Sequence, residues 1–299
     1  VRLIPVALAL FWGLNWPAVK IILSIFPPFT LRLLGLGSGA VLLLLLARAK
    51  RVPLLPPRES WRGIIVGGLL AVAAFNLLVA WAQLSTSTSR AAVLTFTMPM
   101  MSAVLAWAVL GERLDRRRAL ALLLGAAGVS ILAWPVLRAV FGEHDAAAAK
   151  GLVFPLVAAF GWAAGTVYLK GWPVAGDRIV VTAWQLAVGA ACALGGMLIA
   201  GESFPTQGWN GRVVAALSFH IILGTAVAYW LWFVLSERVS ATVAALTTLM
   251  VPVVGVLGAM ALVGDRPAAL DWWGFALVLG GAALIVLNLG AAPAPRSRP

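Results

Sequence analysis

The sequence predicts an all-α integral membrane protein with ten transmembrane helices arranged as two inverted five-helix repeats. Three observations predict it. Of the 299 residues, 62% are hydrophobic and only 11% charged; the apolar residues gather into runs that match the thickness of a bilayer; and the first half of the chain is echoed in the second. A water-covered domain carries about a quarter charged residues, so soluble classes are excluded. The ten acidic side chains all fall in short breaks between the runs.

Crossing the hydrocarbon takes about 20 apolar residues per helix. Runs of that kind cover roughly 3–25, 28–47, 62–84, 89–110, 118–137, 150–171, 178–200, 211–235, 239–263 and 271–290. They read as helices because an open strand edge would leave backbone groups unpaired in lipid. The alternation of a membrane barrel, in segments of about ten residues, is absent.

The net charge of +12 reports orientation rather than nucleic acid, because Lys and Arg concentrate on the cytoplasmic side of membrane proteins. With the first residue inside, 15 of the 22 basic residues fall on cytoplasmic segments and both termini are predicted inside, in a bacterial inner membrane. Cys192 stands alone, so neither an intrachain disulfide nor a cysteine metal site is expected. No metal or cofactor is predicted. The first run is too long for a typical signal-peptide core and lacks an A-x-A cleavage signal, so it is read as retained.

The echo is plainest in PMMSAVLAWAVLGER at 99–113 and PVVGVLGAMALVGDR at 252–266. Thr95, Pro99 and Gly111 recur at an offset of 153 as Thr248, Pro252 and Gly264, and Pro5, Trp12 and Lys20 recur at 150 as Pro155, Trp162 and Lys170. Trp61-x-Gly63 opens the third run as Trp209-x-Gly211 opens the eighth. The resulting boundaries are a first repeat at 1–137, a linker at 138–149, a second repeat at 150–290 and a loose tail at 291–299. Five spans is an odd number, so the second repeat enters from the opposite side. The charges agree: nine basic residues sit in the two cytoplasmic loops of the first half, whereas their equivalents in the second half keep only Arg212 and Arg266. Inverted halves suit alternating access, in which a site between them opens to one side and then the other.

ALFWGLNWPAVK in the first run, with STSTSRAAVLTFTMPMMSAVLAWAVLGERLDRRRALALLLGAAGVSIL across the fourth and fifth, resembles the EamA family of the drug/metabolite transporter superfamily. The resemblance spans both halves, with Asp265 where Glu is commoner. It implies a ten-helix carrier of small metabolites with a central cavity formed mainly by helices 1, 3, 4, 6, 8 and 9. The wealth of tryptophan makes the chain similar to the aromatic amino acid exporters of that family.

Candidate site residues follow from helical spacing. Trp12, Asn15 and Trp16 share a face, Trp162 and Thr166 occupy the matching places in the sixth run, Thr225, Tyr229 and Trp232 form a stripe on the eighth, and Asn76 and Gln83 stand two turns apart on the third. Aromatic walls with a few amides and hydroxyls suit an uncharged or zwitterionic, partly apolar solute. Trp61, Trp209, Trp272 and Trp273, at run ends, belong to interfacial belts.

Pro99 and Pro252 are candidate hinges. Lacking an N–H, each frees the carbonyl four residues earlier, on Thr95 and Thr248. Two readings stand for those carbonyls: acceptors for a substrate ammonium, or packing kinks healed by the threonine hydroxyls. No carboxylate lies deep in any run, and His220 is the one deep group that titrates near neutral pH. It reads either as a packing residue or as a proton site, and facilitated flux with weak or no ion coupling is expected. Lys20 is expected to snorkel to the outer interface, and Arg32 alone is thin evidence for anionic substrates. Gly35-x-x-x-Gly39, Gly63-x-x-x-Gly67 and Gly161-x-x-x-Gly165 predict close helix contacts.

The predicted function is therefore an exporter of small uncharged or zwitterionic metabolites, amino acids first, working as a monomer or homodimer in the lipid bilayer. The alternatives are an exporter of amphipathic cations and, from another class, an intramembrane protease built on Ser38 and His220.

Overall fold

A computed structural model describes residues 4–112, 114–142, 146–228, 231 and 241–288, and at 5, 146–147, 241–249 and 285–288 it describes the backbone alone. Every element among them is helical. Helices α1 (Ile4–Ile22), α2 (Pro28–Ala49), α3 (Arg58–Ser85), α4 (Thr88–Leu110) and α5 (Arg116–Gly142) precede α6 (Lys150–Gly171), α7 (Arg178–Ala200), α8 (Gly211–Val227), α9 (Ala241–Val263) and α10 (Ala269–Asn288). Six of these, α2 to α7, are long and apolar enough to span a membrane among the described residues. Large apolar side chains stand bare on the outside, Ile199 at 90% exposure and Phe141 at 76%, which a solvent of lipid tolerates and water does not.

Packing runs between the halves of the chain. Helix α2 lies along α7, burying Leu36 and Leu43 against Val180 and Leu186. Helix α5 lies along α10, where Leu132 meets Phe275 and Val278. Helix α1 packs on α9, and α6 packs on both α3 and α4.

The start and stop signals are legible. Asp177 caps α7 through the Ile179 N–H at 2.8 Å and Asn210 caps α8 through Val213 N–H at 3.0 Å. The repeated Gly-acid pair also has a local cause. Gly111 and Gly264 both take the left-handed conformation, φ 68° and 74°, and the next N–H reaches back to the Ala106 and Ala259 carbonyls, each at 3.2 Å. That is the glycine stop of a helix, with the carboxylate left at the helix end.

Three local features bear on the expectations. Helix α5 runs past residue 137 to Gly142 with Pro135 inside it, so part of the expected linker is helix. Pro99 splits α4 into Thr88–Thr95 and Met98–Leu110, whereas Pro252 lies within an uninterrupted α9. At the α4 break the Thr95 and Thr97 hydroxyls donate back to the Ala92 and Leu94 carbonyls. The Lys20 ammonium donates to the main-chain carbonyl of Gln83, near the end of α3.

Two features had no sequence signal. Residues Gly68–Ala74 of α3 and Phe219–Val227 of α8 are π-helical, the first after seven α-helical residues and the second after eight. Each inserted residue rotates the remainder of its helix by about 100°.

Candidate functional site

A cavity of about 570 Å³ lies between the helices, lined from α1 to α6, α8 and α9. Trp12, Asn15 and Trp16 line it from α1, and Trp162 and Thr166 from α6. Asn76 and Gln83 line it from α3 and Thr225 from α8. Pro99 and His220 also border it. Thr95 does not: it is fully buried and its hydroxyl turns back onto its own helix. Tyr229 and Trp232 lie outside the described residues, as does the side chain of Thr248.

The π-helical turns explain how these side chains are held. In α8 the Thr225 hydroxyl donates to the His220 carbonyl at 2.8 Å, across the widened turn, and in α3 the Asn76 amide donates to the Val72 carbonyl at 2.9 Å. His220 Nδ1 is 2.8 Å from Asn15 Oδ1, so that nitrogen carries the proton and donates. The other edge of the imidazole sits against Gly35, where an added Cβ would lie 2.4 Å from Nε2. One turn on, a Cβ at Gly39 would lie 2.6 Å from the Thr225 methyl carbon. Ser38 Oγ donates to the Leu34 carbonyl at 2.6 Å, while His220 is engaged by Asn15, so the two residues of the protease alternative are bonded elsewhere.

The walls are largely aromatic and aliphatic. Phe75 and Trp162 meet edge to face with centroids 5.0 Å apart, joining the two halves across the cavity. Polar groups collect at its ends. Arg32, buried to 4% exposure, lies near the end where α1 passes into α2. Glu112, Arg118 and Lys170 border the opposite end, where α4 and α6 finish. The sequence reading missed this trio because each member sits at a run end, where charge is expected anyway.

At the trio, Glu112 accepts from the Lys170 ammonium and lies 3.3 Å from Arg118. The Lys170 hydrogen bond holds the Glu112 carboxyl below its ordinary range, against a partial opposition from burial. A depressed carboxylate adds stability that is fully present above its unfolded value and is lost as pH falls through the lowered folded one. Glu112→Gln is thus expected to lower thermal stability at neutral pH and to flatten part of the fall on acidification. A melting profile identical to wild type from pH 7 down to pH 3 would remove the cluster from the fold's support.

The end near Arg32 is crossed by long-range links. Asp265 Oδ2, just past α9, accepts the Ser89 N–H at 2.7 Å, capping the start of α4 from another helix pair. Beside it Arg90 and Asp271 form an ion pair at 2.7 Å with side chains 18% and 11% exposed. Glu202 accepts from the Thr30 N–H at 2.8 Å, fastening α2 to the segment after α7.

A cavity shared between two sets of helices, with long-range links across one end, suits a carrier. The pattern of the EamA-like transporter family matches residues 3–134 and again 149–287. The chain belongs to that family. As an EamA-like protein it is similar to "Uncharacterized transporter YvbV" of Bacillus subtilis, 28% identical over 94% of this chain and 88% of that one. It is also similar to the "Probable amino-acid metabolite efflux pump" of Escherichia coli, 26% identical over 93% and 92% of the two chains. A solved chain described as "Crystal structure of protein" shares the fold, with a TM-score of 0.64, 22% identity, and coverage of 97% and 96%. The protein is a multi-pass membrane transporter of this EamA-like family.

Proposed function

We propose that this EamA-like transporter exports small uncharged or zwitterionic metabolites, amino acids including aromatic ones first among them, across a bacterial inner membrane. Two inverted five-helix halves rock about the cavity, with both termini cytoplasmic. The observation that carries the reading is the cavity itself, which takes repeat-related tryptophans, Trp12 and Trp162, from the two halves and surrounds them with amides and hydroxyls. Its volume lies within the usual range for small-molecule sites, about 300–1,000 Å³.

Several features support the inversion. The pairing of α1 with α9 corresponds to that of α6 with α4 when the halves are exchanged, and the α2–α7 and α5–α10 pairs map onto themselves. The π-helical turns in α3 and α8 and the glycine stops at Gly111 and Gly264 recur in the same way. In the proposed orientation the end tied by Asp265 and Arg90 is periplasmic, and the end with Glu112 is cytoplasmic. The amino-acid efflux name of the Escherichia coli relative favours amino acids over cationic drugs.

Reconstituted in liposomes, the protein is expected to give saturable flux of L-leucine or L-phenylalanine and none of nucleosides. Flux of cationic drugs alone would move the substrate class to amphipathic cations. Impermeant labelling from the periplasm that marked the Arg116 and Arg266 regions alike would overturn the inverted topology.

A further inference from the structure

The end of the bundle where α2 passes into α3 and α6 into α7 carries a basic face outside the cavity. Arg48, Lys50, Arg51, Arg58, Arg62 and Arg178 are all exposed there, against Glu59 and Asp177. None of the six has an ion-pair partner among the described residues. The two loops lie against each other and join the halves of the chain. Ser60 Oγ donates to the Ala175 carbonyl at 2.7 Å, Trp184 Nε1 donates to the Leu54 carbonyl at 2.9 Å, and Trp61 and Trp184 meet edge to face at 5.0 Å. One arginine is kept at a local cost. Arg51 stops α2 in the left-handed conformation, φ 57°, with the Val52 N–H on the Ala47 carbonyl at 2.9 Å, whereas α4, α7 and α9 end on Gly111, Gly201 and Gly264. Glycine adopts that conformation freely and a residue with a side chain does not, so the position holds a cation where the turn alone favours glycine. Leu55 projects from the same loop at 69% exposure.

We propose that this face is a seat for anionic phospholipid. Its arginines pair with headgroup phosphates through parallel N–H donors, and Leu55 dips among the acyl chains. A bilayer surface supplies both chemistries at once, at the level that the helix ends and the pair of Trp61 and Trp184 already mark. Clusters of about four to eight basic residues just outside a membrane helix are drawn in this way by the negative potential of anionic lipid. A nucleic acid or an acidic protein matches the charge but leaves Leu55 in water. A lipid bound here touches both loops and so clips the halves of the chain together, whatever solute the cavity carries.

The test is thermal unfolding of the delipidated full chain in neutral detergent, with dioleoylphosphatidylglycerol, dioleoylphosphatidylcholine or glycerol 3-phosphate added. Phosphatidylglycerol is expected to raise the midpoint by about 3 °C or more, as a ligand of the folded state does, and the other two to leave it unchanged. High salt should erase much of that rise, since the cations are exposed. Arg51→Gly/Arg58→Gln/Arg178→Gln is expected to keep the lipid-free midpoint, because glycine eases the turn at 51 and the other two side chains are exposed, and to lose most of the rise. No rise with phosphatidylglycerol, an equal rise with phosphatidylcholine, or a full rise in the triple variant overturns the seat. An equal rise with glycerol 3-phosphate makes the face a site for free phosphate and overturns the lipid assignment. If the triple variant does not fold, phosphatidylglycerol carrying a diazirine in its acyl chain decides on the unaltered protein: photoadducts within 52–62 support the seat, and photoadducts confined to other segments overturn it.

Discussion

Arg90→Ala is expected to release the tied end of the bundle and shift the protein towards a state open at the face where α9 turns into α10. The reason is the asymmetry of breaking a buried pair. Arg90 and Asp271 are mostly shielded, and removing one partner strands the other charge, at a cost of about 3 kcal/mol. That is roughly a hundredfold in an equilibrium between two conformations. The cost falls on the closed arrangement alone, since opening lets water reach Asp271. A Val79→Cys probe, at a lining position that is 5% exposed here, in a Cys192→Ser background, reports the shift. Its labelling by an impermeant maleimide from the proposed periplasmic side should rise steeply in Arg90→Ala. In Arg90→Ala/Asp271→Ala the stranded charge is gone and labelling should fall back part of the way, the signature of coupling in a double-mutant cycle. Unchanged labelling in both variants would mean that this ion pair does not hold the end closed.

Gly35→Ala should be the most damaging single-methyl change in the cavity wall. The added carbon would lie 2.4 Å from His220 Nε2, and the imidazole cannot retreat without straining its bond to Asn15. Overpacking of this kind costs about 1–3 kcal/mol, which thermal unfolding in detergent resolves. Gly35→Ala/His220→Ala, with the obstructing ring removed, is expected to recover most of the lost stability. A Gly35→Ala protein that melts like wild type would show that α2 and α8 are not in close contact. The same pair bears on His220, whose packing reading requires that its fate follow Gly35.

Much of the site was legible because the cavity faces of α1, α3 and α6 obey simple helical spacing. Trp12, Asn15 and Trp16 sit one turn or less apart, and Trp162 and Thr166 repeat the pattern, so a 3.6-residue period places them together. Thr95 was chosen on a different ground, the carbonyl freed by Pro99, and it is fully buried away from the cavity lining. Its helix breaks before Pro99, and its hydroxyl is spent on Ala92. Arg32 alone was thin evidence for an anionic solute, and its burial to 4% exposure is visible only once the neighbouring helices enclose it. The repeat itself misled at the prolines. Pro99 and Pro252 are equivalent in sequence, yet one splits its helix and the other does not, because a proline removes a hydrogen bond while the surrounding turn decides whether the helix bends or parts.

By itself the sequence determined that this is a helical membrane protein, where most of its helices begin and end, and which residues recur between its halves. Those properties are local: a backbone in lipid must satisfy its own hydrogen bonds within each helix, so hydropathy, caps and stops suffice to read it. Only the tertiary structure decided which polar groups meet. Asp265 caps Ser89 from 176 positions away, and Asn15 faces His220 from 205. Such meetings depend on how rigid helices pack and on π-helical turns that redirect their faces, and no periodicity along the chain encodes either.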